Sequence, residues 1–261
     1  MIPNILTIAG SDSGGGAGIQ ADIKTIMALG GYGMSVITAL TAQNGRGVRG
    51  IHAPEPEFVL LQLQTVLEGF KVKAAKTGML FSAAIIHTVV EGLREREFPL
   101  VVDPVCVSQS GSRLLQEDAV KTLQDELIPL ADLLTPNRPE AELLAGMCIK
   151  NADDVAKAGN ILLDKGAKAV LIKGGHFDNA IMVTDWLCVP GADAVALVQA
   201  HVDTTNNHGT GCTLSAAIAT GLGLGLPLRV AITKAQEYVN RALRKSYAPG
   251  QGCGPLNHAA R

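Results

Sequence analysis

The chain has 261 residues, 47% of them hydrophobic and 18% charged, with 29 glycines and only 3% aromatic residues. That length buries a full core in one domain, the expected organisation, and the composition excludes a disordered chain while suiting parallel strands buried on both faces. With 22 basic against 24 acidic residues, a formal net charge of -2 and no basic cluster, a nucleic-acid partner is excluded, so any anionic ligand must be met locally.

Met1-Ile2-Pro3-Asn4 begins no basic leader, and no apolar run approaches the roughly 18 residues that cross a bilayer, which predicts a soluble cytoplasmic protein with no membrane partner. Apolar runs at 4–9, 34–40, 74–79, 100–102, 132–134 and 169–172 alternate with amphipathic stretches near 16–29, 57–69, 82–96, 116–128, 137–145 and 152–165. This rhythm predicts βα units and an α/β fold with a mainly parallel sheet between helices. In the first helix Ile19, Ile23, Ile26 and Met27 are expected to face the sheet, with Asp22 and Lys24 turned away. Shorter runs at 181–189 and 195–202, broken by Pro190-Gly191-Ala192-Asp193, predict an antiparallel edge hairpin. Helices are expected near 211–223 and 228–246, and the Gly- and Pro-rich tail from Pro249 is expected to be loosely held.

Five segments carry chemistry. Gly10-Ser11-Asp12-Ser13-Gly14-Gly15-Gly16-Ala17-Gly18 follows the first strand and opens a helix, where free N–H groups favour a polar or anionic ligand. Ile19-Gln20-Ala21 stands where a Walker loop needs Gly-Lys-Ser/Thr, and the second strand ends without the acid that would hold a dinucleotide ribose, so neither motif is met. Asp103 and the run Thr135-Pro136-Asn137-Arg138-Pro139-Glu140 lie at strand ends and offer oxygens for Mg2+, although Asn137 and Glu140 also fit a helix capping box. Lys173, followed by Gly174-Gly175-His176, can meet a phosphate or simply be solvated, and His176 reads as a polar turn residue. In Gly209-Thr210-Gly211-Cys212 the glycines open a helix whose first N–H groups can stabilise a phosphoryl group in flight. The helix dipole there favours a Cys212 thiolate able to take a proton, while packing is the plainer use of that side chain. Cys106, Cys148, Cys188 and Cys253 form no disulfide or metal spacing and are expected to be reduced thiols.

These motifs, together with Thr38-Ala39-Leu40-Thr41-Ala42-Gln43-Asn44, Lys76-Thr77-Gly78-Met79-Leu80 and Val102-Asp103-Pro104-Val105, closely resemble the hydroxymethylpyrimidine/phosphomethylpyrimidine kinases of the ribokinase-like superfamily over about residues 4–247. The resemblance implies a ribokinase-like three-layer α/β/α fold, ATP and Mg2+, a small pyrimidine alcohol as substrate, and a homodimer. It implies that Gln43, Gly10, Asp22 and Val107 hold the pyrimidine. Lys173, Asn137 and Thr205 would hold ATP, and Asp103 and Glu140 would place the metal. Gly209, Thr210 and Gly211 would form the anion hole, with Cys212 as proton acceptor. Cys106 and Thr205-Asn206-Asn207 depart from the family pattern, at the ring pocket and at an ATP contact. A pyridoxal/pyridoxine kinase, a non-catalytic pyrimidine-binding protein and, more remotely, a nicotinamide oxidoreductase remain as alternatives.

Overall fold

The computed structural model describes residues 2–106, 115–116, 118–174 and 181–260. In chain order its elements are β1 (Asn4–Asp12), α1 (Gly18–Ala28), β2 (Tyr32–Asn44), β3 (Gly47–His52), α2 (Pro56–Gly69), β4 (Val72–Thr77), α3 (Ala83–Leu93), β5 (Leu100–Val102), α4 (Ala119–Thr122), β6 (Leu133–Leu134), α5 (Arg138–Ala145), α6 (Ala152–Asp164), β7 (Val170–Ile172), β8 (Met182–Cys188), β9 (Val195–Ala200), α7 (Thr210–Gly223) and α8 (Leu228–Arg244). After α4 the chain runs on through a wide turn of helix (Leu123–Leu127) and a tight one (Ile128–Leu130).

Among the described residues the strands form one nine-stranded sheet, ordered β3-β2-β1-β4-β5-β6-β7-β8-β9. The six central strands, β2 to β7 in that row, pair in parallel, as the βα rhythm predicts. β8 and β9 are the predicted antiparallel hairpin on one edge. The other edge is antiparallel too: β3 turns back on β2, with Asn44 opposite Gly47. Its polar residues hid that strand among turn signals.

Two cores cover the sheet. Leu6, Ile8, Leu100 and Val102 face α2, α3, α5 and α6, whereas Ile5, Ala74, Val101 and Leu133 face α1, α7 and α8, so the alternation along each strand assigns the layers. The inward face of α1 is rotated from expectation: Ile19, Asp22 and Ile26 are buried and Met27 is 68% exposed. Asp22 turns inward because Lys76, on β4, meets it there.

The tail is held rather than loose. Leu256 is fully buried against α8, the Asn257 N–H donates to the Ala242 carbonyl at 3.1 Å, and the Tyr238 hydroxyl donates to the His258 carbonyl at 2.8 Å. The His258 ring bonds the Thr213 hydroxyl in the first turn of α7 at 3.0 Å. Burial, with the Lys24 ammonium adding to it, pushes that imidazole down to about 4. The unfolded chain therefore takes up a proton near pH 6.5 that the folded one refuses. Stability is expected to rise with pH across that window and to fall by up to about 3 kcal/mol between pH 6.5 and 4. Urea midpoints at pH 5 and pH 7.5 check this: the wild type should lose more than His258→Gln.

Candidate active site

A cleft of about 690 Å³ opens over the carboxyl ends of the parallel strands, where open α/β sheets receive their ligands. It runs from Gln43, at the end of β2, past Gly78, Asp103, Glu140 and Lys173, to an apolar end formed by Val183, Val202, Leu214, Val239 and Leu243. The start of α7 forms its middle.

The glycine-rich turn after β1 does not present its N–H groups to the cleft as expected. The Asp12 carboxylate takes them, accepting from Gly14 at 2.8 Å, Gly16 at 3.0 Å and Ala17 at 2.9 Å. It also accepts from His208 Nε2 at 2.8 Å. Burial alone would raise this carboxyl, but the His208 bond and the backbone donors outweigh it and hold Asp12 below the usual carboxylate range. His208 Nε2 lies 3.3 Å from Gln43 Nε2, while the Gln43 oxygen accepts from the Thr41 hydroxyl at 3.1 Å.

Gly209 caps α7 in the left-handed region, at φ 85°, and a Cβ there would be driven into the Gly16 carbonyl. Thr210 is consumed by the turn, its N–H and hydroxyl both donating to the Asn207 carbonyl. The first backbone bond within the helix runs from Thr213 to Gly209, so the N–H groups of Gly211 and Cys212 have no acceptor one turn back. They are the donors an incoming phosphate would meet. Cys212 lines the cleft, but the thiolate expected from the helix dipole is not its resting form. Burial pushes the thiol up to about 11, against the opposing charge of Lys76 and with Asp22 and Asp103 adding to the rise.

Opposite α7, Lys173 Nζ donates to Asp103 Oδ1 at 2.9 Å, and Asp103 accepts further from Thr135 and Ser215, each at 3.3 Å. Desolvation works against the Lys173 ammonium, but Asp103 and Glu140 together hold it above the usual lysine range. Asn137 and Glu140 do form the capping box: the Glu140 N–H donates to Asn137 Oδ1 at 2.9 Å and the Asn137 N–H to Glu140 Oε2 at 2.8 Å. Glu140 nonetheless lines the cleft. Burial, with Asp103 adding to it against Lys173, pushes this carboxyl up to about 7. Two buried carboxylates thus share one ammonium, an arrangement with room for another cation. The described residues gather no cluster of three His, Cys, Asp or Glu side chains that would cage a metal without help from a ligand.

Of the predicted residues, the fold brings Gly10, Gln43, Asp103, Asn137, Glu140, Lys173, Gly209, Thr210, Gly211 and Cys212 around one cleft. Asp22 does not reach it, being fully buried against Lys76 and Thr7. The exposed Thr205 stands outside the cleft as well, while Thr204 and Asn207 line it. Val107, Gly175 and His176 lie outside the described residues. The sequence reading missed Asp12 and His208, whose bond spans 196 positions and has no local signal. It also missed Lys76, although a lysine following Ala74-Ala75 in a buried strand is itself a signal.

A family model described as phosphomethylpyrimidine kinase matches residues 12–257. The chain is 48% identical to a thiamine biosynthesis bifunctional protein of Geobacter sulfurreducens over 98% of its own length, and spans about half (52%) of that longer relative. It is 46% identical to a hydroxymethylpyrimidine/phosphomethylpyrimidine kinase of Synechococcus elongatus, covering 98% of this chain and 97% of the relative. Pyridoxal kinase of Staphylococcus aureus in complex with AMP-PCP and pyridoxal superposes with a TM-score of 0.91 at 32% identity, covering 100% of this chain and 94% of that one.

The tight contact between Gly16 and Gly209 generates a direct expectation. Gly209→Ala should fold with a displaced first turn of α7 and lose about 100-fold or more in kcat, the scale of removing an oxyanion donor. Steady-state kinetics alongside a thermal melt distinguish this from simple unfolding.

Proposed function

The chain belongs to the phosphomethylpyrimidine kinase family, and from that premise we propose that it transfers the γ-phosphoryl group of ATP to the hydroxymethyl oxygen of 4-amino-5-hydroxymethyl-2-methylpyrimidine. A second transfer, onto the monophosphate so made, would give the diphosphate used in thiamine diphosphate biosynthesis. The observation that carries the reading is the start of α7, placed between a polar end of the cleft at Gln43 and an apolar end at Val183, Leu214 and Val239, with Lys173 and Asp103 opposite.

In this reading the pyrimidine lies at the polar end. There Gln43, its amide oxygen held by Thr41, meets ring nitrogen and exocyclic amine with one acceptor and one donor. The adenine occupies the apolar end, and the phosphates run towards Lys173 and the N–H groups of Gly211 and Cys212. As the acceptor oxygen bonds phosphorus and the bond to the ADP oxygen breaks, these donors and Lys173 balance the charge spread over the transferred group. Phosphoryl transfer passes through a loose transition state, so most of the catalysis is positioning and charge stabilisation. Cys212 first releases its own proton to solvent, and the thiolate so formed takes the proton of the acceptor hydroxyl. Asp103 and Glu140 are the carboxylates suited to Mg2+, which takes few protein ligands and completes its shell with water and phosphate oxygens. When bound, the ion would neutralise charge between the β- and γ-phosphates. The family resemblance also supports a homodimer and a cytoplasmic setting, and no described helix is long and apolar enough to cross a membrane.

A pyridoxal kinase is the second reading, favoured by the close superposition on the Staphylococcus aureus enzyme. ADP release from Mg·ATP with hydroxymethylpyrimidine, its monophosphate, pyridoxal and ribose separates the two. Turnover of both pyrimidines is expected, turnover of pyridoxal alone would replace the substrate, and no ADP with any of the four would remove the kinase reading. Cys212→Ala is expected to keep ATP binding and lose about 100-fold or more of kcat, the scale of a general base. A near-normal kcat would exclude Cys212 from that role.

Glu140 provides a pH test. Protonated below about 7, it cannot hold a cation, so magnesium titrations of activity should show apparent affinity falling by about fivefold between pH 7 and pH 6. Glu140→Gln should need more magnesium at every pH and show a flatter dependence.

A further inference from the structure

Residues Gln251 to Pro255 of the tail line no part of the cleft, yet their backbone is pressed against two segments that do the work of the site. On one side is the turn between β2 and β3. The Cys253 N–H donates to the Gly45 carbonyl at 2.7 Å, and the Arg46 guanidinium donates to the Gln251 side chain. Gly45 follows Gln43 by two residues. A Cβ on Gly252, which sits at φ 90°, would be driven into the Gly45 carbonyl, and one on Gly45 into the carbonyls of Gln251 and Cys253. No side chain fits between turn and tail.

On the other side the same residues hold the stretch that leads into α7. Cys253 Sγ lies 2.8 Å from the Thr205 carbonyl oxygen and 3.0 Å from Asn207 Oδ1, so its thiol proton has an acceptor in either direction. The Gly254 N–H donates to Asn206 Oδ1 at 3.1 Å, and the Gly254 carbonyl accepts from the His208 N–H at 3.1 Å. Each residue from Thr205 to His208 thus meets Cys253 or Gly254. Asn207 passes the constraint on, since its carbonyl accepts both the N–H and the hydroxyl of Thr210, the first residue of α7. Covering the core does not call for these contacts. Leu256 and Ala260 supply the apolar burial of the tail, whereas Gln251, Gly252 and Cys253 are exposed or half-buried and join neither core.

We propose that Gln251–Pro255 is a strap whose positioning residues, Cys253 and Gly254, set the start of α7 against the Gln43 turn, so that the pyrimidine alcohol and the phosphate-binding N–H groups are held at a reactive separation. The inference rests on the reading of Gln43 as the pyrimidine contact and of α7 as the helix that receives phosphate. Placement matters steeply in such a transfer, where a shift of about 1 Å can cost about 100-fold in rate. Asp12 and His208 tie α7 to the glycine-rich turn, and the strap ties it to the hairpin.

The test compares Gly254→Ala, whose Cβ would strike the Tyr247 carbonyl and Asn206 Oδ1, with Cys253→Ala, Cys253→Ser and Gly250→Ala, the last a control in the same tail with open space where its Cβ would stand. Steady-state kinetics with hydroxymethylpyrimidine are set beside ADP titrations, thermal melts and amide hydrogen exchange of the full chain. Gly254→Ala is expected to lose about tenfold to 100-fold in kcat and to raise KM for the pyrimidine by about threefold or more. Its dissociation constant for ADP should change by less than about twofold, because ADP carries no γ-phosphoryl group and its base would lie at the far end of the cleft. Exchange should quicken at residues 44–47 and 205–212 together. Cys253→Ala should lose about threefold in kcat, the scale of one hydrogen bond, and Cys253→Ser, which keeps a donor, should return to within about twofold of the wild type. Gly250→Ala should match the wild type. A merely structural strap would lower the melting temperature and leave kcat and KM where they were. That result, exchange that quickens in only one of the two segments, or a serine that restores nothing, would overturn the proposal. Should Gly254→Ala fail to fold, the two Cys253 variants decide by the same kinetic criteria. If the wild type releases no ADP with any acceptor, it is the kinase reading that fails; exchange quickening in both segments then upholds the strap, and exchange unchanged in either overturns it.

Discussion

The contact between the turn after β1 and the start of α7 is the constraint on which the site depends. Asp12 gathers three backbone N–H groups of its own turn and the ring of His208, and Gly209 packs against the Gly16 carbonyl so closely that no side chain fits between them. Two segments from opposite ends of the chain are thereby held as one surface. The helix that would receive phosphate cannot shift without disturbing the loop beside the proposed pyrimidine site, so in that reading donor and acceptor geometry are set by the same bonds.

Charge is distributed around that surface in pairs. Asp103 and Lys173 pair in the cleft opposite α7, Asp12 and His208 hold the loop, and Asp22 and Lys76 lie behind the wall. Burial raises the Glu140 carboxyl to about 7, its share of Lys173 being too small to offset that burial and the charge of Asp103. A site built this way is close to balanced when empty and has one carboxylate to spare for a cation arriving with the nucleotide. Cys212, neutral at rest, must lose its own proton before it could accept one, which leaves electrostatic stabilisation to do most of the work of the transfer.

The tail contributes from behind. By bonding Thr213 through His258 and burying Leu256, it backs the first turn of α7 with the last residues of the chain. Composition alone describes residues 249–260 as Gly- and Pro-rich and therefore loose, whereas their contacts with α8 order them. The same override turns Asp22 inward and Met27 outward on α1, because a single ion pair with Lys76 outweighs the apolar periodicity of the helix.

Much of this architecture is legible in the amino-acid sequence. Apolar runs of the right length, separated by amphipathic stretches, determine the parallel sheet, since strands buried on both faces read as short continuous apolar runs and sheet-packing helices as stripes of period 3.6. Strand ends carrying Asp103, Asn137, Glu140 and Lys173, with the glycines before Cys212, likewise identify the site, because ligand groups at the carboxyl ends of such sheets follow directly on the strands that place them. The tertiary structure alone decided which donors face a ligand and which are spent internally. Asp12 takes the glycine turn's N–H groups, Thr210 is satisfied by Asn207, and Asp22 belongs to Lys76. It also decided the resting state of Cys212, since a thiol's acidity depends on burial and on charges brought close by folding, and none of those is its neighbour in sequence.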